Sequence, residues 1–248
     1  LTAGSSLVTT LKNGKKRVYK KDLKAAYPKT KQRLYEFSRE HPEVLETYRE
    51  HLERAEKEDL SSALSSEDEQ ILAEVLIEAL KSIQPGNKMA SDFHNLVIGL
   101  MEFLFFPNLL CPIKEQEIHQ GRKRIDIVME NGARAGVFHR LHNIRHLPCS
   151  FVPIECKNYG NEISNPELDQ LAGRFSPNRG KFGILCCRNF QDRSLFIERC
   201  RDTFKDDRGL IIPLDDATII RMLIYISDGQ REIIDTELNQ IINEVWIA

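Results

Sequence analysis

Phe151-Val152-Pro153-Ile154-Glu155-Cys156-Lys157, preceded by Arg124-Ile125-Asp126-Ile127-Val128, is the pair of runs on which the reading of the chain turns. Both have the short apolar character of buried strands. Side chains alternate faces along a strand, so Glu155 and Lys157 point one way while Ile154 and Cys156 point the other. By the same rule Asp126 opposes the face shared by Ile125 and Ile127. Charges on strands that otherwise read as buried are costly unless they are paired or bound to a metal. Two carboxylates so placed can contribute to an oxygen cage for a hard divalent cation.

Around these runs the chain alternates helix and strand signals. Asn158-Tyr159-Gly160-Asn161 reads as a turn. Asn165-Pro166-Glu167 reads as a helix start, with Asn a good N-cap and Pro a good first helical residue. That helix carries Gln170 and Arg174 four apart, on one side. Phe182 to Cys187 and Leu210 to Leu214 read as buried strands. With a helix from about Asp92 to Phe106 and a strand from Ile113 to His119, the order is helix, three strands, helix, strand.

Asp126, Glu155 and Lys157, in this order and among these elements, resemble the PD-(D/E)xK nuclease superfamily, whose fold is called restriction endonuclease-like. The resemblance covers roughly residues 90 to 215. It implies an α/β fold with an αβββαβ core and a mixed central sheet, here with a helical N-terminal region and C-terminal helices added. It also implies a DNA endonuclease using Mg²⁺ or Mn²⁺, acting as a restriction-like effector of prokaryotic defence or repair. The metal ligands would be Asp126, Glu155 and the backbone carbonyl of Cys156, with polar residues of the helix carrying Gln170 beside them. Nucleases of this fold often pair to cut both strands, which makes a second copy, in a dimer, an expected partner.

The chemistry expected of such a site is definite. Phosphodiester hydrolysis needs an activated water, neutralisation of charge on the phosphate, and help for the leaving oxygen, and bound Mg²⁺ can serve all three. Lys157 would position the water or offset phosphate charge. As a free base its pKa would have to fall well below about 10.4, which desolvation favours and two adjacent carboxylates oppose. Orientation and charge stabilisation are therefore the roles expected of it.

Many members of the superfamily add an acid from the first helix. In Ser91-Asp92-Phe93-His94-Asn95-Leu96 the corresponding position holds His94, read either as a phosphate contact or as a residue capping or pairing within the helix. Asp92, Glu102 and, on the first strand, Glu117 are the alternative acids. The departure motivates a second reading, a nucleic-acid-binding or assembly module of the same fold without catalysis. Arg122, Lys123 and Arg124 form a basic hairpin tip suited to phosphate contacts, which Arg174, Arg179, Lys181 and Arg188 could extend. His139, His142 and His146 have helical spacing but no evident fourth ligand for zinc. Their segment, residues 137–146, reads as a basic excursion over the cleft or a packed connector.

The chain has 248 residues, 41% hydrophobic and 29% charged, with a formal net charge of −2. It is long enough to bury a full core. It has neither an apolar run of membrane-spanning length nor a secretory leader, so no membrane is expected as partner. It opens on Leu1, as a fragment or processed chain would. Six cysteines without a CxxC pair read as reduced core residues, which points to the cytoplasm.

Charge is segregated along the chain. Between Lys12 and Arg33 ten Lys or Arg face one acid, and between Leu34 and Lys81 fourteen acids face five basic residues. The basic stretch reads as a phosphate contact or as a solvated face balanced by the acids that follow. Pro42 to Leu52 and the segment after Ser66 read as helices, the latter ended by Gln84-Pro85-Gly86-Asn87. The expected organisation is a helical, charge-segregated region over 1–86 and the nuclease-like domain over 87–248. Asp216 to Ile226 and Gln230 to Trp246 read as helices, the last with an apolar stripe suited to core packing or to an oligomer interface.

Overall fold

The computed structural model describes residues 7–11, 14–22, 30, 65–118, 120–160 and 163–247. The chain divides into two compact units, Leu1–Ala63 and Leu64–Ala248. In the first, β1 (Val8–Thr10) pairs antiparallel with β2 (Lys16–Val18), Val8 opposite Val18. This strand pair stands where the sequence suggested helix. The helix expected over Pro42 to Leu52 lies outside the described residues.

The second unit begins with α1 (Ser66–Ser82). Its N-cap is Ser65, one residue before the expected start. The Ser65 hydroxyl accepts from Asp68 N at 3.1 Å, and the Asp68 carboxylate accepts from Ser65 N at 3.2 Å, a reciprocal capping box. Ala73, Ile77 and Leu80 recur at helical spacing and are buried in the main core. The breaker at residues 84–87 suggested a boundary near 86, whereas the division falls between Ala63 and Leu64 because this apolar stripe draws α1 into the second unit.

After α1 come α2 (Ala90–Phe105), β3 (Leu109–Ile118), β4 (Lys123–Asn131), a helical turn Gly136–His139 running into a π-helical stretch Arg140–Ile144, and β5 (Phe151–Lys157). Then follow α3 (Asn165–Ala172), β6 (Phe182–Cys187), α4 (Arg193–Lys205), β7 (Leu210–Asp215), α5 (Asp216–Ser227) and α6 (Ile233–Trp246). The five strands form one mixed sheet in the order β3-β4-β5-β6-β7. β4 runs antiparallel to both of its neighbours, β3 and β5, and β5, β6 and β7 run parallel. β6 is buried at every position and β7 at all but its last, the pattern of parallel strands covered on both faces.

One local reading shifts, one element is added and one open alternative is resolved. The N-cap of α3 is Ser164, not Asn165: Ser164 N donates to Glu167 Oε2 at 2.8 Å, and Pro166 sits one place further into the helix. α4 was not anticipated, since its arginines dilute the apolar stripe of Phe196, Ile197 and Cys200. Its N-cap is Asp192, whose side chain accepts from Leu195 N at 3.0 Å. The stripe on α6 is core: Ile234, Leu238, Ile241, Ile242 and Val245 are buried within the chain itself.

The segment between β4 and β5 is a packed connector. It joins the end of β4 to the beginning of β5, where Glu130 pairs with Phe151, away from the hairpin tip and the end of β5 at Lys157. Asp235 of α6 caps its helical turn at Val137 N and pairs with Arg140 at 2.8 Å, and Arg145 donates to Asn243 at 3.0 Å. His142 Nδ1 accepts from Cys149 N at 3.1 Å, so that nitrogen is occupied within the connector.

Candidate active site

The site forms where β4 and β5 stop pairing. Their ladder runs from Glu130↔Phe151 to Ile127↔Ile154. Continued by one residue, this register sets Asp126 opposite Glu155, on the same face. Like charges directly opposite on neighbouring strands are destabilising. In place of a further rung, Cys156 N donates to Asp126 Oδ2 at 2.9 Å, so the aspartate side chain ends the ladder. The pair lies toward the carboxyl end of β5, the strand at which the sheet changes from antiparallel to parallel, a usual position for ligands in α/β sheets.

Glu155 is fully buried and Lys157 is 8% exposed. Lys157 Nζ donates to Glu155 Oε1 at 2.9 Å and to Gln170 Oε1 at 3.0 Å, and Gln170 Nε2 donates to the same Glu155 oxygen. These three side chains form a closed ring. Glu155 Oε2, by contrast, is buried without a hydrogen-bond partner.

Burial and then the charge of Asp126 push the Glu155 carboxyl up to about 7, against the pull of Lys157 and Arg174. Holding it ionised above neutral pH costs the folded protein on the order of 3 kcal/mol. Burial alone would lower the Lys157 ammonium, but the charge and hydrogen bond of Glu155 outweigh it and hold that group above its ordinary value. Lys157 is thus a fixed positive charge at neutral pH, unsuited to removing a proton from water. Burial holds the Cys156 thiol well above its usual range as well, so its sulfur is an inert core atom.

The residues of the first helix fall apart in space. His94 Nε2 lies 2.9 Å from the backbone oxygen of Asp126. A carbonyl only accepts, so this nitrogen carries the proton. His94 therefore braces β4 beneath the aspartate, bonding to the strand instead of within its own helix. Asp92, Glu102 and Glu117 are exposed, and Glu117 sits opposite Arg124 beside Gly121 of the hairpin tip. Among the described residues no group of three or more His, Cys, Asp or Glu side chains is placed to share a metal ion. The acidic pair Asp126 and Glu155 is accordingly without a described third carboxylate, and the three spaced histidines form no such group either.

Of the basic residues, Lys123 lies beside the end of α3 and Arg174 acts on the site carboxylate. Lys123 Nζ lies 3.8 Å from where a Cβ on Gly173 would stand, and the charge of Arg174 reaches Glu155. The neighbouring Phe175 packs against Gly183 and Gly209, where a Cβ would come within 3.0 and 2.4 Å of its ring. Arg122 is exposed on the tip, and Arg124 is engaged by Glu115 at 2.9 Å. Arg188 is buried and leaves the basic surface. It donates to Asp216 at 2.8 Å, to Asn158 at 2.9 Å and to the carbonyls of Ile83 and Leu80 at 2.8 and 3.3 Å.

Two residues at the site, Asn158 and Tyr159, carry no motif in the sequence. Asn158 directly follows the site strand and ties it to the α1–α2 connection, donating to the carbonyls of Gln84 and Gly86 at 3.1 and 2.8 Å. Tyr159 comes next, with Lys157 Nζ 5.8 Å from its ring centroid. All six cysteines are free. Among the described residues no helix is long and apolar enough to cross a membrane. No family model, curated protein or solved structure matches the chain.

Proposed function

We propose that the protein is a Mg²⁺-dependent endonuclease that hydrolyses DNA phosphodiester bonds, of the PD-(D/E)xK, restriction endonuclease-like type. The observation that carries this reading is Glu155: a fully buried carboxylate, opposite Asp126 by register, with one oxygen lacking any protein partner. Two facing acids in a dry site are unstable unless a positive charge completes them. Lys157 satisfies only one oxygen of Glu155. The remaining carboxylate lone pairs fit a hard divalent cation held by Asp126, Glu155 and the carbonyl of Cys156.

When bound, Mg²⁺ would supply Lewis acidity toward the phosphate and a water of lowered pKa. The chain's own residues do the rest. Lys157, protonated and locked by Glu155 and Gln170, presents a fixed positive charge where negative charge develops on the phosphate. His94 holds the backbone of Asp126, and Asn158 holds the strand end carrying Lys157. Lys123 and Arg174 provide positive charge for the flanking phosphates without reading bases. The order helix, three strands, helix, strand over residues 90–187 supports the same fold reading. A role in defence and a dimeric working form extend this reading from the resemblance.

The absence of a third acid among the described residues favours a second reading, a module of this fold that binds nucleic acid without cutting it. The two separate in one experiment. The protein is incubated with plasmid, linear duplex, single-stranded DNA and RNA, with and without Mg²⁺, beside Asp126→Ala, Glu155→Ala and Lys157→Ala. The enzyme reading expects Mg²⁺-dependent DNA cleavage abolished by each substitution. Cleavage that survives all three would sink it, and DNA binding with a steep salt dependence but no uptake of Mg²⁺ or Mn²⁺ would establish the second reading.

A further inference from the structure

Tyr159 is the next exposed aromatic residue along the chain from Lys157, and its place is built. The residue is 39% exposed, and among the described residues of the second unit only Phe106 is another exposed phenyl-type ring. The residue before it, Asn158, is 4% exposed and locked on several sides. Its side chain donates to the carbonyls of Gln84 and Gly86, its Oδ1 accepts from Arg188, and its own carbonyl accepts from Gly86 N at 2.7 Å. The backbone delivering Tyr159 is thereby fixed to the α1–α2 connection. The ring stands beside Lys157, whose ammonium is 5.8 Å from the ring centroid and 2.9 Å from Glu155.

Such a ring has a specific use next to a phosphate-cleaving site. Proteins that hold single-stranded nucleic acid combine positive charge along the backbone with aromatic side chains on which bases stack. Within a duplex the bases already stack on one another, and a ring can gain this contact only if a base leaves the helix, at a cost of a few kcal/mol. Lys157, Lys123 and Arg174 supply the first element and Tyr159 supplies the second. Resting on the nuclease reading above, we infer that Tyr159 stacks the base beside the scissile phosphate and that the substrate is DNA single-stranded at that point. Strand form, not base sequence, is then what the site selects.

The test measures equilibrium binding in EDTA, where no cleavage occurs, of a single-stranded oligonucleotide and the matched duplex, each carrying 2-aminopurine at successive positions. Wild type, Tyr159→Leu and Tyr159→Trp are compared. Tyr159→Leu keeps an apolar side chain over Lys157 but cannot stack, whereas Tyr159→Trp can. The single strand is expected to bind wild type more tightly than the duplex, with 2-aminopurine quenched at one position. Tyr159→Leu is expected to weaken single-strand binding roughly 5- to 100-fold, lowering the single-strand to duplex ratio, while Tyr159→Trp retains it. A preference for duplex, a ratio unchanged in Tyr159→Leu, or no quenching at any position in the wild type overturns the inference while leaving the nuclease reading standing. The quenching arm needs no variant and decides the matter even if Tyr159→Leu fails to fold. Binding of neither form overturns the inference, and the Mg²⁺-dependent cleavage assay above then decides the nuclease reading by itself.

Discussion

Lys157 Nζ lies 2.9 Å from Glu155 Oε1, and both groups are held away from water. The ion pair answers only half of the carboxylate, whose other oxygen is buried without a partner. Removing one member of a buried pair strands the other, typically at a cost of 3–5 kcal/mol. Lys157→Met should therefore destabilise the protein by up to about that amount at pH 8, where the folded variant must either ionise Glu155 without its partner or hold it protonated against solution. At pH 5.5 the protonated Glu155 no longer needs the ammonium, and the loss should be smaller. Urea unfolding at both pH values checks this, and an equal loss at the two would show that Lys157 contributes packing alone.

If Glu155 is a metal ligand as proposed, the same carboxyl should make the response to divalent cations proton-linked. Glu155 is raised from 4.5 to about 7 in the folded protein. Below about 4.5 it is protonated folded or unfolded. Between 4.5 and 7 the folded state binds the extra proton, so its stability falls as pH rises through that window and then levels off. On the proposed reading, a bound cation would replace the proton. In EDTA the melting temperature should fall from pH 5 to pH 8, and Mn²⁺ should restore it at pH 8 with little effect at pH 5. A Mn²⁺ increment of the same size at both pH values would contradict the assignment of Glu155 as a ligand.

How far the sequence could lead is clear from individual elements. β6 was legible to the residue because an unbroken apolar run between Lys181 and Arg188 admits one reading. The start of α3 slipped by one because Ser164 and Asn165 are both good caps and only geometry chooses between them. α4 stayed hidden because Arg193, Arg199 and Arg201 share the segment with its apolar residues. At the site, alternation alone placed Glu155 with Lys157. That Asp126 faces Glu155 required the strand register, which 19 residues of connector between Asn131 and Phe151 leave open. The partner of His94 is a backbone carbonyl, which has no signature in sequence. Arg188 read as surface because its acceptors come from Leu80, Ile83, Asn158 and Asp216, segments far apart in the chain.

Arg188 gives a structural prediction separate from catalysis. It joins the end of α1, the residue after β5 and the first turn of α5. Arg188→Met would leave Asp216, the Asn158 side-chain oxygen and two backbone carbonyls without their donor. A loss of about 3–5 kcal/mol is expected in urea unfolding, and a loss under 1 kcal/mol would mean that these groups find water instead. Burial raises Asp216 from 3.8 to about 6, with the charge of Arg188 opposing. Its contribution therefore favours the folded state at low pH and is lost as pH rises through about 6. Asp216→Asn should flatten the stability profile between about pH 4 and 6 without altering the Mn²⁺ dependence near pH 7.

Asp126 ties the energetics to the proposed chemistry. Its charge is the second cause raising Glu155, after burial. Asp126→Asn keeps an oxygen able to accept from Cys156 N, so the end of the β4–β5 ladder is preserved while the repulsion is removed. In EDTA at pH 8 the variant should be more stable than wild type, by roughly 1 kcal/mol, as expected when a strained functional site is neutralised. In Mn²⁺ the order should reverse, because the cation loses a charged ligand and no longer offsets Glu155. Thermal melts of both proteins with and without Mn²⁺ provide the check. A variant less stable than wild type in EDTA would show that the aspartate charge serves the fold, and an undiminished response to Mn²⁺ would remove Asp126 from the metal site.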